Sequence, residues 1–345
     1  MTNLLSGLSY SASTKLGAGA FGQVFLGDDE AHGKVAVKEL ARKDDWSDEE
    51  WDKWKKGFLA EAQHLSRATH DHVVKVHYIN QSTDGQKVVI CMGFCPGGSL
   101  EQPYERGPMP IAAVRKVATD VLLGLQCLHM RNMIHRDLKP ANILVDARGN
   151  SLIGDFGLVT DDLVLGYASQ AGYYDHIAYE VWMGGGTSVK SDIWALGATL
   201  YRLLHGKLWY DELPAPRDLI AHGKFADQLP WLPHVPKRWR RVIRQMMEDD
   251  TTKRYPTAEA ALSAISGLPV IPEWRAIVEP HKVRWEQTKG SRQHVVEWAR
   301  TPRHNKWVAW SEPLPGTKGQ KKTLGGSNGE VPAKTAISEL ESYLS

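Results

Sequence analysis

Three glycines stand close together in Gly17-Ala18-Gly19-Ala20-Phe21-Gly22-Gln23-Val24, where absent side chains let backbone N–H groups approach phosphate oxygens. Alone, such a run is equally an ordinary glycine hairpin, and a dinucleotide-binding turn is disfavoured because no helix opens directly after Gly22. Lys38 closes the apolar run Val35-Ala36-Val37, and a lysine so placed ordinarily reaches out to solvent. Glu61 falls among the apolar residues Trp51, Trp54, Phe58, Ala62 and Leu65, which recur at helical intervals. A carboxylate on that stripe needs a cationic partner, because an unpaired buried charge is costly. One arrangement accounts for both residues: Lys38 lies on phosphates and Glu61 holds it. The alternative, with Glu61 at the edge of the stripe and in water, stays open. Further along come His135-Arg136-Asp137-Leu138-Lys139-Pro140-Ala141-Asn142 and Asp155-Phe156-Gly157, which gather acids, amines and an amide.

The elements that must carry these residues fall into two parts. Tyr10 to Leu26 reads as a hairpin and Lys34 to Lys38 as a third strand. Ser47, with Glu50 three positions later, has the spacing of a capping box and opens a helix. Strands follow at Val73 to Ile79 and Lys87 to Phe94, joined through Ser82-Thr83-Asp84-Gly85. After Pro96-Gly97-Gly98 the pattern turns helical, most clearly over Ile111 to Met130 and Ser191 to His205. The expectation is an α+β chain with a small sheet-rich part, a hinge near 93–98 and a larger helical part.

Taken together and in this order, the glycine run, Val35-Ala36-Val37-Lys38, His135 to Asn142 and Asp155-Phe156-Gly157 resemble the signature of the protein kinase family, serine/threonine type. The resemblance runs from about residue 10 to 267. It implies a bilobal fold with an N-lobe at about 10–92, a hinge at 93–98 and a C-lobe at about 99–267, after a leader at 1–9. It also implies ATP and Mg²⁺, phosphoryl transfer to Ser or Thr hydroxyls of protein substrates, and a set of roles. Asp137 would orient the acceptor hydroxyl and accept its proton, and Lys139 would approach the transferred phosphate. Asn142 and Asp155 would hold the metal, as oxygen donors suit a hard divalent ion. Lys38 would contact the α- and β-phosphates and Glu61 would fix Lys38. The nucleotide site would comprise Gly17, Gly19, Gly22, Val24, Ala36, Lys38, Met92, Gly93, Phe94 and Cys95, the last three lending hinge backbone to the adenine. Ser191-Asp192-Ile193-Trp194 looks like the helix that anchors the catalytic loop, and Arg254 looks like the partner of Glu180.

Arg136, just before Asp137, is a cation in search of an anion. A phosphate on Thr160, Tyr167, Ser169, Tyr173 or Tyr174 would serve, as would Asp161, Asp162 or backbone carbonyls. The chain also departs from the family's Gly-Thr-x-x-Tyr-x-Ala-Pro-Glu, reading Gly172-Tyr173-Tyr174-Asp175-His176-Ile177-Ala178-Tyr179-Glu180. Tyr173 replaces a threonine that bonds to the catalytic residues, which puts substrate choice in question, while Lys139-Pro140 keeps the serine/threonine reading ahead. The rival readings are a nucleotide-binding pseudokinase scaffold, favoured only by Tyr173 and Tyr179, and a kinase fold with a non-protein acceptor.

Composition bounds the rest. With 42% hydrophobic and 24% charged residues, the 345-residue chain is neither disordered nor fibrous. A net charge of +2 is too small for whole-molecule attraction to nucleic acid or an anionic membrane. Three cysteines without metal-ligand spacing fit a reducing, cytoplasmic setting, and no apolar run is long enough to span a membrane. Residues 268–345 form a tryptophan-rich tail, expected as a small module of three short strands and a helix opened by Pro332, either separate or docked on the helical part, with a role in targeting or regulation through a partner. Its strands are expected around Lys282–Glu286, His294–Trp298 and Lys306–Trp310, and Gly316 to Gly329 is expected as a loop. Tryptophans alternating with basic residues there could stack nucleic-acid bases or form an apolar core with a charged rim; the second reading is the ordinary one. Pro236-Lys237-Arg238-Trp239-Arg240-Arg241 is likewise either a docking patch or the wet face of a helix.

Overall fold

The structure, a computed structural model, describes residues 3–5, 7–19, 22–82, 85–154, 176–214, 219–220, 222–301 and 304–345. Within them, the first part is an antiparallel sheet ordered β1-β2-β3-β4-β6-β5, made of β1 (Asn3–Leu5), β2 (Leu8–Gly19), β3 (Gly22–Asp29), β4 (Gly33–Ala41), β5 (Val76–Gln81) and β6 (Lys87–Gly93). Residues at the start of the chain thus join the sheet, and Leu8 is fully buried. Alternation sorts β4 between two cores. Val35 and Val37 pack with Leu8, Tyr10, Phe25, Val89 and Cys91, while Leu40 packs with Trp51 and Phe58 of helix α1 (Asp48–Ser66). Ala36 and Lys38 share the face of Leu40 and are both buried. The expected capping box opens α1: Ser47 N–H donates to Glu50 Oε2 at 2.9 Å, and Glu50 N–H to Ser47 Oγ at 3.2 Å.

The helical part is built on α2 (Glu101–Arg106), α3 (Ile111–His129), α4 (Tyr179–Trp182), α5 (Val189–Tyr210), α6 (Phe225–Gln228), α7 (Lys237–Met246) and α8 (Ala258–Ser266), with a small hairpin of β7 (Ile143–Val145) and β8 (Ser151–Ile153). The chain crosses to it after Gly93. Gly97 N–H donates to Val145 O at 2.9 Å, and a Cβ at Gly97 would lie 2.7 Å from that of Val145. Only a glycine lets the two backbones approach so closely.

The tail folds as the antiparallel meander β9 (Arg275–Glu279), β10 (Lys282–Lys289), β11 (Arg292–Arg300), β12 (Asn305–Pro313) and β13 (Lys322–Gly326), followed by α9 (Ala333–Leu344). Two strands go beyond the three expected. β13 occupies part of the stretch expected as a loop: its lysine and glycines carry no apolar alternation, and pairing with β12 past a bulge at Ala309/Trp310 makes it a strand. Alternation turns Trp285, Trp298 and Trp307 inward and Lys282, Arg284 and Lys306 outward, so these tryptophans belong to a core. That core is continuous with the helical part, joining Val283, Trp285 and Leu340 to Trp239, Ile243 and Leu232. Polar contacts cross the same boundary. Trp285 Nε1 donates to His234 Nδ1 at 3.0 Å and Trp239 Nε1 to Pro269 O at 2.7 Å, and Arg240 of the basic run pairs with Glu341 of α9. Part of that run is therefore spent inside the molecule.

His205 and His234 are buried with one ring nitrogen of each used as an acceptor, Nε2 of His205 from Leu232 N–H and Nδ1 of His234 from Trp285 Nε1, while His205 Nδ1 donates to Tyr201 O. Burial pushes both far down from 6.5, to about 3. The unfolded chain therefore takes up two protons between pH 6.5 and 3 that the folded chain refuses, and stability falls as pH drops through that window. By pH 5 the loss is about 2 kcal/mol for each histidine. Urea midpoints measured at pH 7, 6 and 5 should fall steadily, and a constant midpoint would count against neutral burial of these rings.

Candidate active site

Asp192 organises the loop that carries most of the expected catalytic residues. It lies in the first turn of α5, whose start is fixed by a capping box between Ser188 and Ser191. Its carboxylate, 1% exposed, accepts from His135 N–H at 2.8 Å, Arg136 N–H at 2.9 Å and His129 Nε2 at 2.9 Å. These bonds hold Arg136 at φ 72°, a left-handed conformation uncommon outside glycine. Half-buried Arg136 donates through Nε to Thr187 Oγ1 at 3.0 Å. The hydroxyls expected to carry a phosphate for it, from Thr160 to Tyr174, lie outside the described residues.

His135 ties this loop to the strand end before Asp155. Asp137 N–H donates to His135 Nδ1, so the ring proton resides on Nε2, which faces Gly154 O at 3.1 Å. Gly154 N–H in turn donates to Asn142 O at 2.9 Å. Asp155 itself lies outside the described residues, but its predecessor is held to the catalytic loop through both backbone groups.

Asp137 is the centre of the site. Asn142 Nδ2 donates to its Oδ2 at 2.7 Å and to its backbone carbonyl at 2.8 Å. Lys139 Nζ bridges the carboxylate, at 3.0 Å from Oδ1 and 2.9 Å from Oδ2. His176 Nε2 lies 2.8 Å from Oδ1. Burial pushes the Asp137 carboxyl up, but His176 and then Lys139 outweigh it and hold the group well below the usual carboxylate range. It is therefore ionised at neutral pH and able to accept hydrogen bonds. Asn142 directs its Nδ2 at Asp137, which leaves Oδ1 on the opposite side of the amide, an oxygen donor of the kind a hard divalent cation takes.

His176 was missed by sequence reasoning. It stands in the departing stretch before Glu180, where only Tyr173 and Tyr179 drew attention, and the sole signal was a histidine in place of the family's tyrosine. Arg254, 2% exposed, grips Glu180 with two bonds of 2.7 and 2.9 Å, as expected, and so fixes the chain just beyond His176.

The sheet gathers the other expected residues. Val24 pairs with Lys38, and Ala36 with Met92, so all four side chains share one face of β3, β4 and β6. Gly17, Gly19 and Gly22 form the β2–β3 end beside them. Gly22 adopts φ 137°, and a Cβ there would sit 2.2 Å from Glu39 O, so no other residue fits. Gly93, Phe94 and Cys95 follow at the crossing, with Gly93 N–H bonded to Lys75 O at 2.9 Å. Glu61 lies on α1, but its side chain is outside the described residues, as is any pairing with Lys38 that rests on it. A cavity of about 210 Å³ lined by Trp46, Trp51, Trp54 and Phe58 lies between α1 and the sheet and includes neither Lys38 nor Asp137.

The protein kinase domain family matches residues 10–264. Serine/threonine-protein kinase PrkC of Bacillus subtilis is 27% identical over 256 residues, covering 72% of this chain and 39% of its own. Mitogen-activated protein kinase kinase kinase 3 of Homo sapiens is 31% identical over 257 residues, 72% of this chain and 40% of its own. The DNA damage-responsive serine/threonine-protein kinase RqkA of Deinococcus radiodurans is 30% identical over 286 residues, 77% of this chain and 40% of its own. The chain thus spans about two fifths of the length of these relatives.

Proposed function

Since the chain belongs to the protein kinase domain family, we propose that it transfers the γ-phosphoryl group of ATP to serine or threonine hydroxyls of protein substrates. The observation that carries this reading is the ionised Asp137 carboxylate, fixed by Asn142 and Lys139 on a loop suspended from Asp192. Phosphoryl transfer spreads negative charge over several oxygens, so the protein's work is placement and electrostatic stabilisation. In this reading Asp137 orients the acceptor hydroxyl and takes its proton, and Lys139 lies beside both base and phosphate. Lys38, steadied by Glu61, contacts the α- and β-phosphates; Gly17, Gly19 and Gly22 lie over the phosphates; and Val24, Ala36 and Met92 flank the adenine, which bonds to hinge backbone from Gly93 to Cys95. Asn142 and Asp155 would hold a divalent cation, Mg²⁺ in this reading, whose charge offsets that of the phosphates. Among the described residues no helix is long and apolar enough to cross a membrane, and we place the activity in the cytoplasm.

Incubation with labelled ATP and a generic protein acceptor tests the reading. The wild type should label serine or threonine, and Asp137→Ala should lose about 10²- to 10⁴-fold in rate while still binding ATP. A wild type that binds ATP but transfers nothing under any activation condition, or an Asp137→Ala variant with undiminished transfer, would refute it.

A further inference from the structure

We propose that His176 is a positioning residue for the catalytic base, holding the Asp137 carboxylate in the orientation that meets the acceptor hydroxyl; this rests on the kinase reading above. A carboxylate rotates over a broad torsional range, so its direction is set by what donates to it. Asn142, in the turn that follows Asp137, fixes Oδ2, and Lys139, on a flexible stem, bridges both oxygens. On Oδ1 the rigid donor is His176, whose Nε2 lies 2.8 Å away. An ionised carboxylate only accepts, so Nε2 carries the proton and donates it.

The ring is well placed for this work. His176 is 5% exposed, and the next two residues, Ile177 and Ala178, are buried at 3% and 2%. Glu180, four positions on, is clamped by Arg254. The imidazole therefore has few other places to go, and its donor is delivered from outside the catalytic loop. Oδ1 is aligned by a segment separate from the one that carries Asp137, so the direction of the base depends in part on how that second segment is seated.

Four variants test the assignment, with kcat for transfer to a protein acceptor, the acceptor KM and ATP affinity by calorimetry as readouts. His176→Phe keeps the ring volume and removes the N–H; it should lower kcat about 10- to 100-fold with ATP affinity near wild type and a lowered but still cooperative thermal transition. His176→Ala should lose at least as much. His176→Gln, which returns an N–H at similar reach, should recover a substantial part of kcat. Wild-type kcat in His176→Phe would make the ring a packing element and overturn the assignment, and a kcat raised in His176→Ala would make it a cover over the base and overturn it equally. Asp137→Ala, run alongside, keeps the two levels apart. Inactive Asp137→Ala with normal His176→Phe sinks the positioning role alone, whereas active Asp137→Ala sinks the kinase reading itself.

Discussion

Replacing Asp192 with alanine is expected to lower stability by about 2–6 kcal/mol and to abolish phosphoryl transfer. The carboxylate is the common acceptor for His135 N–H, Arg136 N–H and His129 Nε2. It is 1% exposed. One buried and one partly buried backbone donor left without partners cost about 1–3 kcal/mol each, and Arg136 loses what holds it at φ 72°. Because Asp137 is the next residue, its carboxylate moves with the relaxing loop, and small displacements of a catalytic group are costly in rate. Asp192→Asn keeps one oxygen acceptor and should fall between the variant and wild type. Urea unfolding and the labelled-ATP assay measure the two effects; an Asp192→Ala protein with an unchanged midpoint and unchanged rate would refute the account.

Trp285→Ala should destabilise the whole molecule, the catalytic part included, by about 3–5 kcal/mol. Trp285 is fully buried on β10, in a core shared with α7 and α9, and bonds to His234. Truncation leaves a cavity and an unpaired ring nitrogen on His234. Trp285→Phe, which restores most of the volume, should recover most of the loss but retain about 1 kcal/mol for the missing hydrogen bond. Unfolding followed separately by tryptophan fluorescence and by loss of ATP binding should give coincident transitions in wild type and variant. Two separated transitions would mean that the tail folds alone, contrary to the continuous core.

Local signals in the sequence carried much of this architecture. Ser47 and Glu50 announced the start of α1, the run from Lys34 to Lys38 marked a strand ending in a lysine, and the string from His135 to Asn142 located the loop around Asp137. Glu180 and Arg254 were paired across 74 residues by resemblance. What could not be read was contact between distant residues with no motif to join them. His176 meets Asp137 across 39 positions in a stretch whose letters depart from the family's, and His234 meets Trp285 with no pattern linking them. The alternation of tryptophan and basic residues was visible, but alternation alone does not say which face is covered; α7 and α9 decide that. β13 was missed because its residues are recruited by β12 rather than by their own preference. Glu61, Asp155 and the segment hydroxyls remain expectations, since their side chains lie outside the described residues.

The protein kinase domain family matches residues 10–264, yet Trp274, Trp285, Trp298 and Trp307 beyond it are planted in the same interior as α7. A fragment trimmed to the stretch of homology would therefore expose a raw interior wall, and a graft of the last 78 residues onto another catalytic scaffold would arrive without a bed for Trp285 or a counter-charge for Glu341. Heritable relatedness and cooperative folding draw different borders on this chain: the appendage can travel only together with the helix that receives it.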